Sequence, residues 1–130
     1  MIQAVFTTSI SCPVAAMAAE ATTVIRQLGF FELRDTDLHR RLSDRLETLE
    51  RAAATLRPTS RAGAVFLALL AAADLDSAMS WAGPDDRAGA LARSAHDALV
   101  GVVAALRRPE DAALVDFYMG RSFEIDDLAA

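Results

Sequence analysis

The sequence predicts an all-α fold, a compact four-to-five-helix bundle around a central apolar helix at about residues 60–82. Three observations carry this prediction. Apolar residues recur at spacings of three and four along most of the chain, the period of a one-sided helix. Four prolines and six glycines fall mainly at points that cut the chain into stretches of helical length. The segment 62–73 (AGAVFLALLAAA) is uncharged and apolar on every side, the mark of a helix buried all round. At 130 residues the chain matches one domain of about 100–150 residues, able to bury a core without metals or disulfides.

The first helix is expected from Pro13 to Leu28. Proline suits a first turn, and Gly29 followed by Phe30 reads as a stop. Val14, Ala18, Ala21, Ile25 and Leu28 share its apolar face, and Ala15, Ala19 and Thr23 form a ridge of small side chains open to close approach. The second runs from Asp35 or Thr36 to Arg57, stopped by Pro58. Leu38, Leu42, Leu46, Leu49, Ala53 and Leu56 make a narrow heptad stripe flanked by mixed charges. The third, the central helix, ends at Gly83-Pro84. A fourth starts at Asp85 or Asp86 and reaches Arg107, with Leu91, Ala95, Ala98, Leu99, Val102 and Leu106 on one face. Pro109-Glu110-Asp111 opens a short fifth, closed by Gly120. Residues 1–10 read as an N-terminal arm and 121–130 as an acidic–apolar tail. The expected core is Phe66, Leu67, Leu69, Leu70, Leu75, Leu99, Val102 and Leu106.

Composition narrows the functional classes. The 28 alanines and 13 arginines, with no lysine and no asparagine, indicate a GC-rich bacterial coding sequence. A net charge of −5 argues against a general binder of phosphate backbones. The arginines between residues 34 and 61 share that stretch with five acids and scatter around the helix, so no nucleic-acid partner is expected. The uncharged run of twelve residues is too short to cross a bilayer, so no membrane is expected either. The lone Cys12 cannot form an internal disulfide, which fits a reducing cytoplasm. Residues 1–18 carry no basic residue and four hydroxyl residues, which leaves secretion the lesser alternative to a cytoplasmic location.

Chemistry-bearing residues are few. Two histidines and one cysteine, with no Glu-x-x-His, HExxH or CxxC spacing, give no dedicated metal site. No phosphate loop is present and no cofactor is implied. His39 lies in a charged first turn and reads as solvated. His96 sits at the border of an apolar face, where a proton shuttle or phospho-acceptor competes with a hydrogen-bonded boundary histidine. Cys12, just before Pro13, is a candidate reactive thiol because a helix N-terminus favours the thiolate; catalysis would require His39 or His96 within reach. Asp74 and Asp76 follow the apolar run on nearly opposite sides. Each needs an arginine, a cap or solvent, because a buried unpaired carboxylate costs several kcal/mol.

These residues leave three readings. The first is a small interaction or regulatory protein that packs helices against itself or a partner protein, with Leu38, Leu42, Leu46 and Leu49 as the candidate face. The second is a helical bundle that binds a small molecule, a sensor or carrier, with Asp74, Trp81, His96 and Tyr118 around a pocket. An enzyme built on a thiol or a histidine is the least supported, and no catalytic residue is assigned.

Overall fold

A computed structural model describes residues 12–31, 36–81, 83 and 86–120. The chain is all-α. Its helices are α1 (Pro13–Phe31), α2 (Thr36–Ala54), α3 (Arg61–Trp81), α4 (Arg87–Leu106) and α5 (Ala112–Met119), with a 3-10 turn at Pro109–Asp111 before α5. No strand occurs among the described residues. The N-terminal arm and the acidic–apolar tail lie outside them.

Most boundaries follow the expected punctuation. The Ser60 hydroxyl oxygen accepts from the Gly63 N–H at 3.1 Å and caps α3. Asp86 caps α4 by accepting from the Ala88 N–H at 2.8 Å. Each cap satisfies an N–H that has no partner inside the helix. At the 3-10 turn the Arg108 N–H donates to Asp111 at 2.8 Å, which gives that carboxylate a partner although the residue is buried. Gly120 closes α5 with φ of 61°, the left-handed backbone that glycine enters without strain. Two boundaries differ. The first helix runs through Gly29 to Phe31, since one glycine weakens a helix by only about 1 kcal/mol against alanine. The second stops at Ala54, three residues before Arg57, and tightens through Thr55 N–H to Ala52 and Leu56 N–H to Ala53 bonds. Pro58 disfavours helical backbone at Arg57, so the last turn closes early.

The residues group into two compact units, Met1–Ala64 and Val65–Ala130, divided within α3. In the first, α1 packs on α2. Val14, Ala18, Ala21, Val24, Ile25 and Leu28 of α1 and Leu46, Leu49 and Ala53 of α2 are buried. Along the small-residue ridge Ala19 and Thr23 are exposed, and Ala15 is half-buried. A fork of two hydrogen bonds from Arg45 to Glu20, one of them at 2.8 Å, ties the helices across their solvent side. The Arg45 hydrogen bond holds the Glu20 carboxyl below its ordinary 4.5, against a smaller opposing push from burial. The bond therefore stabilises fully above the unfolded carboxyl's pKa and is lost as pH falls through the lowered folded value. Arg45→Gln is expected to destabilise only slightly, because both groups are about half exposed. Melting curves of the two proteins should converge as the pH is lowered.

In the second unit, Val65, Phe66, Ala68, Leu69 and Ala72 of α3, Val103 of α4 and Leu114 and Val115 of α5 are buried. Tyr118 lies against Phe66 at 6.3 Å between ring centroids and meets Phe117 edge-on at 4.9 Å, both favourable aromatic geometries. Burial of α3 ends at Asp74, the first charged residue after Arg61. From Asp74 onward most residues are exposed, so the central helix is a core element over its first half only.

The expected core changes most on α4. Leu91 is 62% exposed and Val102 43% exposed, and Ala95 and Ala98 are exposed with them. Gly89 and Val103 are buried, and Ala92, His96, Leu99 and Leu106 are half-buried. The covered side therefore lies about 100°, one residue, around the helix from the expected face. Leu67, Leu70 and Leu75 are half-buried as well.

Candidate functional site

Two features stand out: a polar cluster around one thiol and an apolar helix face left in solvent.

Cys12 immediately precedes α1, and its carbonyl accepts the Ala16 N–H at 3.2 Å. The residue is 8% exposed. Its sulfur accepts the Thr59 N–H at 3.3 Å, and a Cβ built on Gly63 would stand 3.1 Å from it. The N-termini of α1 and α3 thus converge on one sulfur, and the missing side chain at Gly63 provides the room. Hydrogen bonds from the Ser60 hydroxyl and then from the Thr59 hydroxyl and N–H lower the thiol from 9.0 to about 6; the Ala15 N–H adds to them, and burial opposes them. Ser60 serves in two ways, since its oxygen caps α3 while its O–H faces the sulfur.

Such an environment holds a thiolate at neutral pH without help from a base. His39 does not contribute: no hydrogen bond joins it to Cys12 among the described residues, and it is half-buried on α2 rather than solvated. The donors that surround the sulfur explain it as an anchor between the start of α1 and the lead into α3. Sequence reasoning found the helix start but not Thr59 and Ser60, which lie 47 and 48 positions away and carry no local signal.

The four residues expected around a ligand pocket are placed differently. Trp81 is 91% exposed at the end of α3, so its indole encloses nothing, and Asp74 is exposed on the same helix. Asp76 is exposed too, and neither aspartate carries a burial cost. His96 is half-buried, with Nδ1 3.8 Å from the Asp97 carboxylate. Tyr118 packs against Phe66 and Phe117. A depression of about 330 Å³ in the same unit is lined instead by Arg107, Arg108, Pro109, Ala112 and Val115. No group of three or more His, Cys, Asp or Glu side chains able to hold a metal occurs among the described residues.

The leucine stripe of α2 is largely used inside the first unit. Leu46 and Leu49 are buried, while Leu38 and Leu42 are half-buried. The face that stands open belongs to α4: Leu91, Ala95, Ala98, Val102 and Ala105, spaced by four, three, four and three residues and all exposed. Gly101 lies beside it, and a Cβ there would meet nothing within 4 Å. Arg93 and Asp97 fall on the far side of the helix at 100° per residue. The uncharged run 62–73 is closed by Arg61 and Asp74, but the helix that carries it is longer. By length and composition alone, α3 (21 residues) and α4 (20 residues) both suffice to cross a membrane, which corrects the expectation drawn from that run.

No family model, no curated protein and no solved structure matches the chain.

Proposed function

We propose that this chain is a small helical interaction protein that works by packing a helix against itself or a partner protein, and that the surface it uses is the open face of α4. The supporting observation is the heptad row Leu91, Ala95, Ala98, Val102 and Ala105, all of it in solvent. Single exposed apolar residues are ordinary, whereas a contiguous row on one helix marks a surface that another element covers. Alanines along the row let a second backbone approach closely, and Leu91 and Val102 supply the larger side chains that interlock.

The length and hydropathy of α3 and α4 favour a second reading, insertion into a bilayer. Charge weighs against it. Asp74 and Asp76 are exposed on α3, and Arg87, Arg93 and Asp97 on α4; an ionised side chain near a bilayer centre costs about 2.5–3.5 kcal/mol on insertion scales.

The test places a thiol on the row, Ala98→Cys in a Cys12→Ser background, and labels it with a permeant maleimide. Protection in intact cells together with ready labelling of the dilute purified protein is expected. Equal labelling in both settings contradicts the proposal. Trp81, the single tryptophan, separates the bilayer reading: a blue shift of its emission on adding lipid vesicles would favour insertion and count against helix packing.

A further inference from the structure

We draw no further inference here: the strongest candidate, the depression lined by Arg107, Arg108, Pro109, Ala112 and Val115 at the turn from α4 to α5, carries nothing, because Glu110 and Asp111 of the same 3-10 turn balance its two arginines and leave no charge that selects a ligand.

Discussion

Phe66→Ala is expected to lower the stability of the second unit by about 3–5 kcal/mol, the cost of truncating a fully buried aromatic side chain. Phe66 has 0% of its surface exposed. Its ring packs on Tyr118, so truncation removes both the transfer free energy of the ring and an aromatic contact. Domains are stable by about 5–15 kcal/mol in all, which puts such a variant close to unfolding at ordinary temperatures. Phe66→Leu keeps more of the volume and should cost less. Phe117→Ala removes a half-exposed ring, and its cost should also be well below that of Phe66→Ala. Urea denaturation followed by circular dichroism checks the order. Equal midpoints for Phe66→Ala and Phe117→Ala would contradict the burial on which the core is argued.

The second large effect concerns Cys12. With the thiol lowered from 9.0 to about 6, roughly ten thiolates per thiol are expected at pH 7. A group whose folded pKa lies below its unfolded one binds more protons when unfolded, so stability rises with pH between the two values. The contribution of Cys12 is fully present above about pH 9 and is lost as pH falls through about 6. The stability of the native chain relative to Cys12→Ala should therefore climb across that window and level off on either side. Thiolate absorbance should titrate with a midpoint near pH 6. A midpoint near 9 would mean that the Ser60 and Thr59 donors do not reach the sulfur in solution.

Much of the fold is legible in the sequence because local chemistry sets helix boundaries. Ser60, Asp86, Pro109 and Gly120 mark them through caps, a fixed φ and a left-handed turn, and each acts within a few residues. The charge step at Asp74 likewise marks where burial of α3 ends. What local chemistry does not set is which side of a helix is covered. On α4 the row from Leu91 to Val102 and the side holding Leu99 and Val103 are both apolar, and periodicity alone cannot choose between them. The same gap led from the heptad stripe of α2 to a candidate outer face, although Leu46 and Leu49 are spent on the first unit's own core. The Cys12 cluster was half legible: Pro13 announces a helix start, but the donors come from a distant segment.

Whether another polypeptide covers the α4 face is decided most directly by a photo-crosslinking amino acid at position 98 in intact cells. A covalent adduct to a polypeptide is expected from position 98, and none from position 93 on the far side of the helix. No adduct at 98, or equal adducts at both positions, would contradict a covered face.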